Sequence, residues 1–398
     1  MEYYKKSLAL HKQLKGKIET SIKIDITSKE DLSLLYSPGV AQPCLEIAKN
    51  PATVYDYTIK GNTVAIVSDG SAILGIGNLG ALAAIPVMEG KAMLFKKYGG
   101  INAFPICLDT QDTEEIIETI KRIAPVFGGI NLEDISAPRC FEIEQRLQNL
   151  GIPVFHDDQH GTAIVVLAGL INATKVVGKN FSDLKVVVNG AGAAGVAIIK
   201  MLKCIGLSNH PECIAVKEVI ACDTHGILHS RRRDLNLAKI DLLNYTNNND
   251  IAGTVKDALV DADVFIGVSA PNILNRNDIK TMAKDAIIFA CANPTPEINP
   301  DEAFKGGAAI VGTGRSDLPN QVNNVLAFPG IFRGALSAKA TSITPEMKLA
   351  AAHAIADCIH KPTKDVVIPC TLDLTVADKV AKAVSKAWKL SLKEVELV

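Results

Sequence analysis

The spacing of apolar and polar positions changes several times along this chain of 398 residues. TVAIVSDG (63–70) and NAFPICLDT (102–110) are short apolar runs closed by turn residues, and they predict strands. Between 113 and 123, Ile116, Ile117, Ile120 and Ile123 recur at three- and four-residue spacing, which predicts an amphipathic helix. FGGINLEDI predicts another strand with its exit loop, and IPVFHDD the next. From about Lys185 the alternation becomes regular. KVVV, VIACD, VFIGVSA, AIIFACANP and AAIVGTGR are buried-type strands separated by helical or loop segments, the pattern of a parallel, doubly wound sheet. From Thr344 onward the pattern is mostly helical, broken at Pro362 and Pro369. The expected fold is α/β. An N-terminal α/β domain on the substrate side (1–160) precedes a Rossmann-type parallel-sheet domain (161–335) and a helical C-terminal return (336–398).

Composition narrows the function classes. The chain carries 42 Lys+Arg against 43 Asp+Glu, a net charge of −1 that argues against a nucleic-acid partner. Nine cysteines, an odd number without a CxxC pair, predict reduced thiols in an intracellular protein, not a disulfide framework or a zinc ribbon. The N-terminus MEYYKKSLALHKQLKGKIET lacks an apolar core followed by a small-residue cleavage site. Gly70 to Met88 is free of charge but is interrupted by Gly75, Gly77, Asn78, Gly80 and Pro86, which fits a buried segment better than a membrane span. A soluble, cytoplasmic protein with no membrane partner is expected.

GxGxxG occurs twice, so the bare pattern decides nothing. Gly190, Gly192 and Gly195 directly follow the strand LKVVVN and open a helical run beginning at Ala193 and Ala194. Glycines there permit a tight turn and close approach of a pyrophosphate to the helix start, where free N–H groups and the dipole favour anions. Asp223 ends the next strand, where a ribose-binding carboxylate belongs. SNHPECIAVKE lengthens the crossover before it. Ser269 and Asn293, at the exits of later strands, complete the cofactor-side set. Gly75, Gly77 and Gly80 lack this context and predict a close-packed turn or a scaffold for a substrate loop.

Glu133, Asp134 and Asp158 lie where strand patterns end. An all-oxygen set suits a hard divalent cation, Mg2+ or Mn2+, yet adjacent acids serve as well as helix caps or a solvated loop edge. His156 and His160 frame HDDQH, near the HExxH zinc pattern, but are expected in a loop, which argues against zinc. Lys91 follows the uncharged segment: desolvation there would lower its pKa and make it a base, whereas a snorkelling surface lysine is the blander reading. Tyr36 precedes the turn signal Ser37-Pro38-Gly39, which could hold its hydroxyl in a cleft, or it is a packed aromatic. Asn293, Asn323 and Asn324 offer amides at strand exits, or are ordinary turn residues.

Together these stretches resemble the malic enzymes in their short form. LLYSPGVAQPC, SDGSAILGIGNLGALAAIPVMEGKAMLFKKYGG, INLEDISAPRCFEIE, IPVFHDDQHGTAIVVLAGLINA, VVNGAGAAG, CANPTPEI and NNVLAFPGIFRGAL run in family order from about Leu34 to Leu336. The resemblance implies oxidative decarboxylation of L-malate to pyruvate and CO2, with reduction of NAD or NADP and a required Mn2+ or Mg2+. It implies metal ligands at Glu133, Asp134 and Asp158, a general base at Lys91 and a general acid at Tyr36. Asp157 becomes the carboxylate supporting the lysine, and Asn293 with Asn323 or Asn324 the substrate amides. A homodimer or larger homo-oligomer is implied as well. One departure stands out: longer family members carry a malate-binding arginine just before ILGxG, where this chain has Ala72. His225 and Arg231 to Arg233, near Asp223, tilt the expected cofactor towards NADP. The rival readings are malolactic conversion to lactate with bound NAD, a metal-free hydroxy-acid or amino-acid dehydrogenase, and a non-catalytic nucleotide-binding protein on the same scaffold.

Overall fold

The computed structural model describes residues 2–73, 76–207 and 210–396. Leu74, Gly75, Ser208 and Asn209 lie outside them, Gly75 of the first glycine loop included. Two parallel sheets organise the chain. The first runs β2 (Asn102–Cys107), β1 (Thr63–Ser68), β3 (Gly129–Leu132), β4 (Val154–His156). The helix over Thr113–Ile123 forms as its periodicity predicts and buries Ile116, Ile117 and Ile120 against this sheet. Asp112 caps its first turn by accepting from the Glu115 N–H at 3.0 Å.

The second sheet has the order β10 (Ala308–Thr313), β9 (Ala286–Ala290), β8 (Val264–Gly267), β5 (Lys185–Asn189), β6 (Glu218–Asp223), β7 (Gly226–Ile227). All its pairings are parallel except the short β6–β7 hairpin. Counting from β5, this is the doubly wound order in which the chain reverses direction between β5 and β8, the crevice where such folds bind ligands. Strands β5, β8 and β9 are almost continuously buried, as expected for a sheet covered on both faces.

The helix Asp157–Val177 starts immediately after β4 and joins the sheets. By length and composition it could cross a membrane, but 67% of its most apolar window is buried inside the protein, so it is a core helix. The helix Phe328–Ser337 returns the chain to the first sheet, where Phe328 packs tilted and Phe332 edge-on against Phe95, with ring centroids at 4.7 and 5.4 Å. The C-terminal helix Thr375–Glu396 packs closely on it, with Val380 and Val384 against its glycines. A Cβ at Gly334 would lie 2.5 Å from the Ala381 carbonyl oxygen, and one at Gly330 would lie 2.6 Å from Val380 Cβ.

Two expectations need correction. Cys204 and Cys213 form a disulfide, because the lengthened crossover folds back and brings the end of the helix Ala193–Leu202 to Cys213; the other seven cysteines are free. The HDDQH segment is not a loop: His156 ends β4 and His160 stands in the first turn of the following helix.

Candidate active site

Strand ends place the carboxylates. Glu133 and Asp134 leave β3, and Asp157 and Asp158 leave β4, so four acids gather at the C-terminal edge of the first sheet. Lys91 reaches them from the helix Ala81–Leu94. Its ammonium pairs with Glu133 Oε1 at 2.7 Å and forms a short ion pair with Asp157 Oδ2, and all three side chains are buried. Phe328 closes the apolar side, with Lys91 Nζ 4.2 Å from its ring centroid. Burial alone would lower the Lys91 pKa, but the charges of Asp157, Glu133 and Asp158 outweigh it and hold the pKa above the ordinary lysine value. The expected lowering is therefore reversed in the metal-free protein. The acids shift the other way: burial pushes Asp157 up to about 7 and raises Glu133 and Asp158, despite the lysine beside them.

Glu133, Asp134 and Asp158 each offer an oxygen, all within 4.8 Å of one another. Asp134 holds a left-handed backbone (φ 52°), and its N–H donates to Asp158 Oδ2 at 2.8 Å, which locks the two loops together. Asp158 is the most open of the three, its side chain one-third exposed. An oxygen-only set with one open side fits a hard divalent cation that shares its shell with substrate.

The loop carrying Ala72 belongs to this edge: the Ala72 N–H donates to the Asp134 carbonyl at 3.0 Å. Gly70 makes the turn possible. Its φ is +68°, and a Cβ there would sit 2.3 Å from the Gly80 carbonyl oxygen. A Cβ on Gly77 or Gly80 would meet nothing within 4 Å, so the close packing lies at Gly70 and not at the two glycines expected to need it. Arg139, which sequence reasoning passed over, holds the loop from below. It donates to Asp69 Oδ2 at 2.8 Å and to Ser71 Oγ at 3.0 Å.

Glu144 was missed as well. It is buried and accepts from the His156 N–H at 3.2 Å, from Gln159 Nε2 at 3.2 Å and from His160 Nε2 at 2.9 Å. It thereby fixes the helix turn that presents Asp157 and Asp158, and the histidines serve this anchor, not a zinc ion. The FEIE–HDDQH pairing was visible only once β4 placed Glu144 beneath that turn. Burial would raise the Glu144 pKa, but the charge and hydrogen bond of His160 lower it from 4.5 to about 2. The anchor's stabilisation is then fully present above about pH 4.5 and lost as pH falls towards 2. Glu144→Gln should flatten this acid-side loss in a series of denaturant titrations. An unchanged pH slope would contradict the anchor.

The asparagines separate. Asn324 donates to Asp157 and so joins the cluster. Asn323 turns away and caps its own short helix, accepting from the Val325 N–H at 3.0 Å. Asn293 is exposed at the β9 exit, before Pro294. Tyr36 does not enter the site of its own chain. It ends the helix Lys29–Leu35, its side chain is 69% exposed, and among the described residues it makes no side-chain bond to the cluster. The Ser37-Pro38-Gly39 turn forms, but it presents the ring outward.

On the second sheet, Gly190 has φ +121°, and a Cβ on Gly195 would lie 1.7 Å from the Gly190 carbonyl oxygen, so the tight turn requires both glycines. A Cβ on Gly192 would meet nothing within 4 Å. Gly192 caps the helix at Ala193 with no side-chain bond, which leaves the first N–H groups available to a phosphate. Asn189 Nδ2 donates to Ser269 Oγ at 2.6 Å across the β5–β8 crevice. Asp223 is gripped by Arg232 at 2.8 and 3.0 Å and by Lys239 at 2.6 Å.

The strand order and the bare glycine turn give the second sheet the form of a dinucleotide-binding fold. Comparison with known proteins narrows the class: the chain belongs to the malic enzyme family. Residues 15–148 match the malic enzyme N-terminal domain, and residues 159–388 match the malic enzyme NAD binding domain. The chain is 54% identical over 391 residues to the bifunctional malic/malolactic enzyme of Bacillus subtilis, covering 97% of this chain and 93% of that protein. It is 54% identical to the NAD-dependent malic enzyme of Geobacillus stearothermophilus, covering 94% of this chain and 76% of that one. A crystal structure of the NAD-dependent malic enzyme from Thermotoga maritima superposes with a TM-score of 0.90 at 49% identity, covering 95% and 98% of the two chains.

Proposed function

We propose that this chain oxidises L-malate with NAD or NADP and decarboxylates the product to pyruvate and CO2. The observation that carries this reading is the buried Lys91 beside three carboxylates whose oxygens lie within 4.8 Å of one another. Glu133, Asp134 and Asp158 would hold Mn2+ or Mg2+, which would supply Lewis-acid polarisation of substrate oxygen. Lys91 takes the C2 hydroxyl proton as hydride leaves C2. With Glu133 and Asp158 committed to the cation, less negative charge faces Lys91, and its burial favours the neutral amine this step needs. Asp157, fixed by Asn324, orients the lysine. The 190–195 turn, Ser269 and Asp223 seat the dinucleotide, and Asn293 serves the substrate side.

The Bacillus relative's name favours weighing a second outcome, conversion to lactate with retained NAD. Product analysis separates the two. Pyruvate formed in step with reduced nicotinamide supports the proposal, and lactate without net reduction overturns it.

Arg232 and Lys239 flank Asp223 and would supply cations to a 2′-phosphate beside it, which supports use of NADP as well as NAD. Lys239→Ala should raise KM for NADP about tenfold or more while changing KM for NAD by less than about threefold, since one charged hydrogen bond is worth roughly 1.5–3 kcal/mol. Equal effects on the two cofactors would exclude this role.

Tyr36 acts in a homodimer. The helices Lys29–Leu35 and Ala41–Lys49 bury no residue, and Ile22, Ile24, Ile26, Leu34 and Leu35 are exposed around them. Such an apolar surface marks an interface, and a second copy lying on it brings Tyr36 to the neighbouring Lys91 site, where it protonates C3 of enolpyruvate. Tyr36→Phe and Lys91→Ala chains would each be inactive alone. Coexpressed, they should recover roughly a quarter of wild-type activity, because half the dimers are mixed and each of those holds one complete site. No recovery would place Tyr36 outside the partner's site.

A further inference from the structure

A cationic groove lies outside the Lys91 cluster. It has a volume of about 600 Å³ and runs between the helix Phe328–Ser337 and the C-terminal helix, lined by Arg333, Ser337, Ser385 and a lysine row. Lys382, Lys386, Lys389 and Lys393 follow one another at four, three and four residues, so they share one helix face over about 16 Å. Arg333 pairs with Asp378, but none of the four lysines has an acidic partner among the described residues. Four like charges on one face repel one another unless an anion offsets them. At the other end of Arg333 the groove continues into a second hollow lined by Asn62, Gly99 and Gly100.

We propose that this groove binds a small polyanion, a metabolite with several closely spaced phosphate or carboxylate groups, and that its binding acts on the malate site. The residue spacing suits an extended ligand laid along the lysine row, with Ser337 and Ser385 as hydroxyl donors. The walls supply the coupling. Arg333 stands next to Phe332 on the helix whose Phe328 covers Lys91, and Gly99 ends the turn that continues the Lys91 helix. Val380 and Val384 of the C-terminal helix pack directly on Gly330 and Gly334 of the Phe328 helix, so a shift of one helix is transmitted to the other. The coupling rests on the malate site proposed above, whereas the binding itself is read independently of it.

Trp388, the single tryptophan, is buried on the C-terminal helix between Lys386 and Lys389 and reports on the groove directly. The experiment follows Trp388 emission in full-length, metal-free protein titrated with inorganic tripolyphosphate or with citrate. Saturating NAD occupies the 190–195 turn throughout. The expected result is a saturable change that weakens as salt rises and that loses at least tenfold in affinity in the Lys386→Ala/Lys389→Ala variant. This variant should keep wild-type malate turnover without the anion. Comparable binding of both probes assigns recognition to charge density, and binding of tripolyphosphate alone assigns it to phosphate. Equal affinity in wild type and variant would overturn the proposal. So would failure of both probes to bind by emission and by calorimetry, including the case where sedimentation shows a second copy covering the groove.

Discussion

Lys91→Ala is expected to lower malate oxidation by about 10²–10⁴-fold, the range that a positioned general base contributes. The same variant should keep most of its metal-dependent decarboxylation of oxaloacetate, because that step needs no proton taken from C2. The pairing with Asp157 and Glu133 makes this more than a test of one side chain. In the metal-free protein the alanine leaves two buried carboxylates without a counter-charge, a loss of roughly 3–5 kcal/mol. Turnover is therefore compared with Mn2+ present, and folding is checked by circular dichroism under the same conditions. If malate oxidation and oxaloacetate decarboxylation fall together, Lys91 holds the site in shape and is not its base.

Asp158→Asn should weaken Mn2+ binding by at least about 10–100-fold, a range already reached by residues that only support a ligand. Calorimetry on wild type should count one Mn2+ per chain. The acid cluster adds a pH signature. Burial raises the Asp157 pKa from 3.8 to about 7, so between these values the folded state holds a proton that the unfolded chain has released. Its contribution to stability is present below about pH 4 and is lost as pH rises towards 7. The metal-free protein should melt at a lower temperature at pH 8 than at pH 5, and Mn2+ should raise Tm more at pH 8. A Tm gain from Mn2+ that is equal at both pH values would separate the cation from this cluster.

Much of this was legible in the chain. The strands of the second sheet are apolar runs bounded by turn residues, and both sheet faces are covered, so composition alone marks them. Gly190, Gly192 and Gly195 were distinguishable from the earlier glycines because a strand precedes them and a helix follows. Glu133, Asp134 and Asp158 stood out as acids at strand ends, where ligands collect, whereas the supporting role of Asp157 came only from the family resemblance. What escaped depends on contacts between segments distant in sequence. Glu144 reads as an ordinary helix acid until β4 brings His156 and His160 to it. Arg139 carries no motif, and its grip on Asp69 and Ser71 comes from the pairing of β1 with β3. The direction of the Lys91 shift was misjudged for a similar reason, since local sequence shows the burial but not the charges of Asp157, Glu133 and Asp158 that overcome it. Asn323 and Asn324 are indistinguishable as neighbours, and only the turn between them sends one to Asp157 and the other to a helix cap. Tyr36 stands beside helices with no buried residues of their own, so nothing in its local sequence marks what it faces.

The most direct test of the account is the initial rate of malate-dependent nicotinamide reduction, measured while free Mn2+ is raised from zero in a chelator buffer. A carboxylate site that works through a bound cation predicts no rate at zero Mn2+, saturation at one Mn2+ per chain, and pyruvate equal to the nicotinamide reduced. Full turnover with the metal chelated away would contradict it.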